Sequence, residues 1–256
     1  MRFLVVKRRT IIIAVIAAVL LAAAVTGVYC TGAAAIYNNV SPKKVPIYSV
    51  ETEEKVVALT FDAAWGADKT LGLLDTIESK DARATFFLVS FWAEKYGDEL
   101  KKLAASDRIE IGTHSATHPY MSKLDKKAIS LELSTSKSLI ESISGRKVEL
   151  FRPPYGDYSD ALIDEATAQG LHTIQWDVDS LDWKGLSKEE IASRVVGGVR
   201  NGSIVLMHND GKHTLEALPA IIDGLRAKGF TFKTVGELIY KDNYIIDHTG
   251  RQIRST

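Results

Sequence analysis

Cysteine is almost absent from this sequence, since Cys30 is the only one among 256 residues. A single thiol excludes an intramolecular disulfide framework and a zinc site built from cysteines. Net charge is absent as well, because 32 basic side chains balance 32 acidic ones. Without an overall positive field, binding to nucleic acid is disfavoured. Any metal ion would have to be held by histidine and carboxylate side chains.

One long uncharged segment is present near the N-terminus. It contains about 18 residues, roughly the length that spans a hydrocarbon core. Four basic residues precede it within the first nine, which predicts that the N-terminus lies inside the cell and the rest of the chain outside. A cleavable signal peptide is the alternative, since small residues are frequent nearby. The length of the apolar run favours a retained single-pass anchor.

Composition divides the chain into five segments. Pro42 and Pro46 discourage regular structure after the apolar run, which predicts a tether there. The region beyond it has the length of one α/β domain. The predicted segments are a short basic cytoplasmic segment (1–10), a transmembrane anchor (11–29), a tether (30–53), a globular domain (54–240) and a C-terminal tail (241–256), whose packing stays open.

Within the predicted domain, short apolar runs alternate with amphipathic stretches. The apolar runs predict strands, and the stretches between them predict helices, of which the longest ends at Gly145. This alternation predicts an α/β fold with a parallel sheet covered on both faces, either doubly wound or closed into a barrel. The seven predicted strands are VVALTF, ATFFLVS, IEIGTHS, VELFRPPYG, LHTIQWDVD, SIVLMHN and FTFKTV.

Polar side chains gather where five of these strands end. Proteins of the α/β class place their functional sites at the carboxyl ends of the strands. One polar residue at such a position is usually a loop residue or a helix cap, whereas five strand ends predict a shared site. The residues are Asp62, His114 with His118, Arg152, the group Asp177, Asp179 and Asp182, and His208.

Two histidines in the segment GTHSATHP suggest a metal site. His114 and His118 are four residues apart, and on a helical turn this spacing places both imidazoles on one side, within reach of a common ion. Nitrogen and oxygen ligands suit zinc or another divalent ion, but two ligands do not distinguish among metals.

The segments FRPPYG and LMHND add charged and apolar groups. Two prolines fix φ between Arg152 and Tyr155, which predicts a stiff turn. We expect Arg152 to bind the Asp62 carboxylate through a bidentate contact, although a rigid surface loop is the alternative. Leu206 lies two residues before His208 and therefore on the same face of its strand.

The ordered motifs TFD, HSATH, RPPY, DSLDW and LMH resemble the five motifs of the polysaccharide deacetylases, the NodB-homology domain of carbohydrate esterase family 4. The resemblance extends over about residues 56–235. It implies a distorted (β/α) barrel of seven strands, behind the predicted anchor, and metal-dependent removal of acetyl groups from N-acetylated sugars. The first motif, FDAAWG, resembles that of the sporulation-type branch of the family.

The resemblance assigns catalytic roles to four residues. Asp62 would be the general base and Arg152 would hold it in place. His208 would be the general acid, kept charged by Asp182. A base of this kind deprotonates the attacking water, and the acid protonates the departing amine.

The resemblance also assigns ligand-binding roles. His114 and His118 would bind a divalent metal ion, with zinc as the favoured metal, which polarises the acetamide carbonyl. Tyr155 would line the groove and lend a backbone amide to the oxyanion. Trp183 and Leu206 would enclose the acetyl methyl group.

One carboxylate of the family pattern is missing. The first motif usually contains two adjacent aspartates, a base followed by a metal ligand, but in this chain Ala63 follows Asp62. Three outcomes stay open: water fills the ligand position, Asp68 folds back to supply an oxygen, or the site is metal-free and inactive. Asp68 has an alternative role as a cap or first-turn acid of the next helix.

These observations predict an extracytoplasmic deacetylase anchored in the cell membrane. Its substrate would be the N-acetylglucosamine or N-acetylmuramic acid residues of peptidoglycan, with a role in sporulation, and no nucleic acid would be bound. The alternative is a non-catalytic cell-wall-binding or sporulation protein that has lost its metal site at Ala63. A third possibility is another metal-assisted hydrolysis of an amide or ester on the same fold.

Overall fold

The computed structural model describes residues 8, 9, 12, 13, 15–23, 26, 27 and 43–255. They fall into two compact units that divide after Lys43. The described residues between Arg8 and Gly27 are helical. Among the described residues, no helix has both the length and the apolar character of a membrane span. The predicted anchor, residues 11–29, lies partly outside the described residues.

The second unit is an α/β structure, with eleven strands and eight α-helices among its described residues. The strands are β1 (Ser49–Val50), β2 (Val56–Ala63), β3 (Ala84–Leu88), β4 (Ile109–Thr113), β5 (Leu150–Phe151), β6 (His172–Thr173), β7 (Val178–Asp179), β8 (Ser203–His208), β9 (Thr231–Phe232), β10 (Tyr244–Ile246) and β11 (Arg251–Arg254). The helices are α1 (Thr70–Ser79), α2 (Ser90–Lys95), α3 (Gly97–Ala105), α4 (Lys126–Ser144), α5 (Asp160–Ala168), α6 (Lys188–Gly198), α7 (Thr214–Ala227) and α8 (Val235–Leu238).

Parallel strands form the centre of the sheet, in the order β7–β8–β2–β3–β4–β5–β6. No pair among the described strands joins β6 to β7. The sheet therefore curls into a half-barrel and is not closed by hydrogen bonds. The predicted α/β class and parallel sheet are confirmed, and the distorted seven-strand barrel is present in this open form.

The central strands are buried because helices cover the sheet. All eight residues of β2 and all five of β3 are buried, as is usual for parallel strands. Phe61 and Phe86 stack between these strands, with ring centroids 4.8 Å apart. Helix α1 packs through Leu73 and Ile77, which belong to the same core. This apolar packing fixes the strand ends that carry the polar residues.

The register of the sheet brings those strand ends together. Asp62 on β2 lies opposite His208 on β8 and Phe87 on β3. His114 directly follows β4, and Arg152 directly follows β5. The predicted convergence of polar residues at the carboxyl edge of the sheet is therefore present.

The segments predicted as tether and tail extend this sheet. Strand β1 lies within residues 30–53 and pairs with both β8 and β11. The tail forms the hairpin of β10 and β11, and Gln252 exchanges hydrogen bonds with the backbone of Tyr240. The compact unit consequently begins near Lys44, and the tail packs on the sheet.

Helix α4 allows a direct test of a sequence-encoded cap. The Asp125 carboxylate accepts the Ala128 backbone N–H at 2.8 Å. Because Ala cannot accept this bond, we expect Asp125→Ala to lower the free energy of unfolding by about 1 kcal/mol, measured by urea denaturation. Asp125→Asn keeps an acceptor and should stay near the wild type. Equal losses in both variants would show that the cap is not the cause.

Candidate active site

Arg152 holds the candidate base in place. Its Nη1 donates to Asp62 Oδ1 at 2.8 Å and to Thr60 Oγ1 at 2.7 Å, while Nη2 donates to the Gln175 carbonyl at 3.1 Å. The guanidinium is fully buried and lies 4.2 Å from the ring centroid of Phe87. The predicted contact with Asp62 is confirmed, but one nitrogen makes it. The predicted bidentate geometry is wrong, because Nη2 donates to the backbone carbonyl of Gln175 and not to Asp62.

Asp62 is held in its ionised form. Burial alone would raise the pKa of this carboxyl, which is only 6% exposed. The positive charge of Arg152 and the interactions with His114 and His208 outweigh burial and lower the pKa below its ordinary value. A carboxylate that is charged at neutral pH and faces a cavity can accept a proton from water.

The two histidines lie next to this carboxylate. His114 Nδ1 is 2.7 Å from the Arg152 carbonyl oxygen, to which it donates, and Nε2 is 3.5 Å from Asp62 Oδ2. The ring centroids of His114 and His118 are 5.0 Å apart. Burial lowers the pKa of both rings, that of His118 to about 4, so both are neutral at pH 7.

The segment between the histidines is not the helical turn that the spacing suggested. Ser115 has φ +75° and His118 has φ +61°, both in the left-handed region. The His118 backbone N–H donates to Ser115 Oγ at 3.0 Å, which stabilises this loop. The loop still brings both rings together, by a route that spacing alone does not encode.

Glu132 on α4 is a positioning residue that the sequence did not reveal. Its carboxylate accepts the backbone N–H groups of Ala116 and Thr117 at 2.9 and 2.8 Å, and the Thr117 hydroxyl at 2.6 Å. These three bonds hold the loop between the histidines. No sequence signal separates Glu132 from the other charged residues of this amphipathic helix.

The residues present do not complete a metal site. The carbonyl partner of His114 Nδ1 is typical of a metal-binding histidine, and the His118 Nδ1 atom is buried without a hydrogen-bond partner. Within the described residues, however, no group of three or more His, Cys, Asp or Glu side chains is placed to hold an ion. Ala63 is fully buried and offers no donor atom. The predicted zinc site is thus limited to two imidazoles beside an arginine-bound carboxylate.

Asp68 does not restore the missing ligand. It is exposed in the turn before α1 and is not among the residues that line the cavity at the strand ends. It does not cap that helix either, because Lys69 occupies the N-cap position and no acid lies in the first turn.

A second acid–base pair faces the first. His208 Nδ1 is 2.8 Å from Asp182 Oδ1, and the other carboxylate oxygen accepts the His208 backbone N–H and the Thr214 hydroxyl. Burial would lower the pKa of His208, but the bond to Asp182 outweighs it and raises the pKa. Asp182 is 1% exposed. Nδ1 is held by the carboxylate, so Nε2 is the nitrogen available to a ligand.

These groups share one cavity of about 940 Å³. Tyr155 lies at its edge with φ +59°, in the left-handed region. Leu206 is buried in the cavity wall, whereas Trp183 is 58% exposed. The residues that line the cavity are Asp62, Ala64, Trp65, His114, His118, Tyr155, Trp176, Asp179, Asp182, Trp183, Gly185, Leu206, His208, Asp210, Gly211 and Lys212.

Asp177 and Asp179, the two acids of the predicted strand LHTIQWDVD, differ in position. Asp177 accepts bonds from the Ser203 hydroxyl and the Ile204 backbone N–H, so it ties β8 to its neighbour. Asp179 lines the cavity. Trp65 and Asp210 also line it, and they were not singled out from the sequence, because loop residues carry no periodic signal.

Known proteins are similar to this chain in sequence. A family model described as polysaccharide deacetylase matches residues 49–174. A peptidoglycan-N-acetylglucosamine deacetylase of Bacillus cereus is 32% identical, over 75% of this chain and 92% of its own length. The peptidoglycan-N-acetylmuramic acid deacetylase PdaC of Bacillus subtilis is 32% identical, over 74% of this chain and 40% of its own length. Another peptidoglycan-N-acetylglucosamine deacetylase of Bacillus cereus is 33% identical over 70% of this chain, and the chain spans 66% of the length of that protein.

Solved structures give the same result. A CE4 family pseudoenzyme from Bacillus anthracis has a TM-score of 0.73 and 33% identity, covering 78% of this chain and 70% of its own. A mutant of that pseudoenzyme, with restored enzymatic activity, has the same TM-score at 34% identity, covering 78% and 72%. Because fold and sequence identity agree over most of the domain, the chain belongs to the polysaccharide deacetylase family, the NodB-homology domain of carbohydrate esterase family 4.

Proposed function

We propose that this chain hydrolyses the N-acetyl group of N-acetylglucosamine or N-acetylmuramic acid residues in peptidoglycan. The observation that carries the proposal is a pair of buried acid–base units facing one cavity, Asp62 with Arg152 and Asp182 with His208. The named activities of the relatives support peptidoglycan as the substrate.

The two units divide the proton transfers between them. Asp62, ionised and fixed by Arg152, takes a proton from the water that attacks the acetamide carbon. His208, charged through its bond to Asp182, gives a proton to the departing amine nitrogen. The backbone N–H of Tyr155 is the proposed donor to the oxyanion.

Apolar groups bind the acetyl methyl in this proposal. Leu206 lies two residues before His208 on β8, and both line the cavity. Trp183 presents an exposed indole to the same cavity. Burying the methyl group against these side chains is favourable, and it directs the carbonyl carbon toward the acid–base pairs.

The proposed location is the outer face of the cell membrane. The basic residues before the apolar segment favour this orientation. In the described part of the N-terminal unit, Ile13, Leu20 and Leu21 are each more than 60% exposed, as expected of side chains that contact lipid. Release after signal cleavage is the alternative. The FDAAWG motif favours a role in sporulation.

A second candidate function is binding of cell-wall glycan without hydrolysis. It is favoured by Ala63 and by the two-histidine donor set, since no group of three ligands is found among the described residues. The similarity to a family pseudoenzyme agrees with this alternative. In this second candidate function, the cavity and the residues proposed to bind the glycan keep the same roles.

Acetate release tests the leading proposal. Asp62→Asn removes the base, and we expect at least about a hundredfold slower release from N-acetylglucosamine oligomers than with the full-length wild type. Both proteins are assayed with added Zn²⁺. The matched control is Asp75→Asn, because Asp75 is an exposed residue on α1. Equal rates for wild type and Asp62→Asn would contradict the assigned base, and no release by either would favour glycan binding alone.

The pH profile of kcat/KM tests the assigned acid. His208 has its pKa raised above 6.5 and Asp182 has its pKa lowered below 3.8. These pKa shifts also make the stability of the fold depend on pH. The contribution of His208 to stability is fully present below pH 6.5 and is lost as pH rises through its folded-state pKa. The Asp182 contribution is lost as pH falls through its own folded-state pKa.

In Asp182→Asn the strongest interaction that raises the His208 pKa is gone, and burial, which lowers this pKa, is opposed only by the charges of Asp62 and Asp210. We expect the alkaline limb of kcat/KM to move to lower pH, and maximal activity to fall. Thermal unfolding at each pH separates this effect from loss of structure. An unchanged alkaline limb in a folded variant would exclude His208 as the acid.

Ala63→Asp tests the metal hypothesis. The family pattern has a metal-binding carboxylate here, and we expect the variant to retain a divalent ion after dialysis that the wild type loses. A carboxylate at this fully buried position is costly without a partner. Zn²⁺ should therefore raise the unfolding temperature of Ala63→Asp more than that of Ala63→Asn. Equal metal content in the wild type and Ala63→Asp would contradict the assigned ligand position.

A further inference from the structure

Trp65 is an exposed indole at the cavity that no part of the proposed chemistry uses. It lies three residues after Asp62, lines the same cavity and is 60% exposed. Large exposed aromatic side chains at a cavity mark ligand-binding surfaces. A purely structural tryptophan would instead be buried, as Trp92 is.

The loop that carries Trp65 is held by hydrogen bonds to buried side chains. The carbonyl of Gly66 accepts the Trp92 indole N–H at 2.6 Å and the Asn209 side-chain amide at 2.9 Å. Both donor residues are fully buried. The ring of Phe91 on α2 supports the indole, with centroids 5.3 Å apart. The indole is consequently held in position before any ligand binds, which lowers the entropic cost of binding.

Trp65 and Trp183 flank the reacting groups. Trp65 follows β2 and Trp183 follows β7, and β8 lies between these strands and ends at His208. Neighbouring strands are about 4.8 Å apart, so β2 and β7 are about 10 Å apart across β8. The two exposed indoles thus follow strands on either side of the one that carries His208, an arrangement that suits two linked sugar rings better than one.

The size of the cavity leads to the same conclusion. Its volume of about 940 Å³ is close to the upper end of the range of about 300 to 1,000 Å³ for sites that enclose drug-sized ligands. One pyranose with its acetyl group occupies only part of this space. The C–H bonds on the apolar face of a pyranose carry partial positive charge, which the negative face of an aromatic ring attracts.

We propose that Trp65 forms a second sugar subsite, which binds the ring next to the one that presents its acetyl group to Asp62 and His208. The ligand class is a β-linked oligosaccharide of N-acetylated amino sugars. The inference rests on the proposed function for the identity of the first sugar. It concerns binding, and it holds whether or not the acetyl group is hydrolysed.

Calorimetric titration of the full-length chain with N-acetylglucosamine oligomers, from the monomer to the tetramer, tests the second subsite. We expect wild-type affinity to increase with oligomer length. Trp65→Ala should bind the tetramer about fivefold to tenfold more weakly, with unchanged affinity for the monomer. Trp65→Phe keeps an aromatic face and should restore part of the loss.

Leu131→Ala is the matched control, because Leu131 is an exposed apolar residue on α4 outside the cavity. It should bind every oligomer as the wild type does. Equal wild-type affinity for all lengths, or undiminished tetramer binding by Trp65→Ala, would overturn the second subsite. Mass spectrometry of the recovered oligomers reports acetyl loss separately, so failure of hydrolysis is distinguished from failure of binding.

Discussion

The buried ion pair of Asp62 and Arg152 determines the geometry of the site. Arg152 has no exposed surface and Asp62 has little, so removing one partner would leave the other charge unpaired in the interior, at a cost of about 3 to 5 kcal/mol. The same arginine fixes His114 through its backbone carbonyl. One residue thus sets the orientation of both the carboxylate and the neighbouring imidazole, and it connects the second and fifth strands at their ends.

The main elements of this arrangement follow from the sequence because the central strands are strongly apolar. Burial of β2 and β8 is evident in VVALTF and SIVLMH; Asp62 directly follows the first run and His208 ends the second. Knowledge of the strand ends is enough to expect Asp62 and His208 on one edge. The pairing of Asp182 with His208 required the family resemblance, since the sequence does not show how the intervening residues fold.

Other features depend on contacts between distant residues and could not be predicted. The loop between the histidines adopts left-handed backbone conformations that Glu132 stabilises from another element. Strand β1 has two residues, too short for a periodic pattern, and exists only through its neighbours. The position of Asp68 follows from the helix start at Thr70, and one residue at a helix boundary is below the precision of sequence patterns.

The buried alanine after Asp62 has an evolutionary consequence. Ala63 belongs to the apolar core, whereas the indoles and the acid–base pairs are held by other contacts. The position that would complete a metal site and the positions proposed to bind the glycan are therefore different, so that selection can change one while preserving the other. In a lineage with this fold, a change at the end of the first central strand would alter metal binding and leave the surface proposed to recognise the cell wall unchanged.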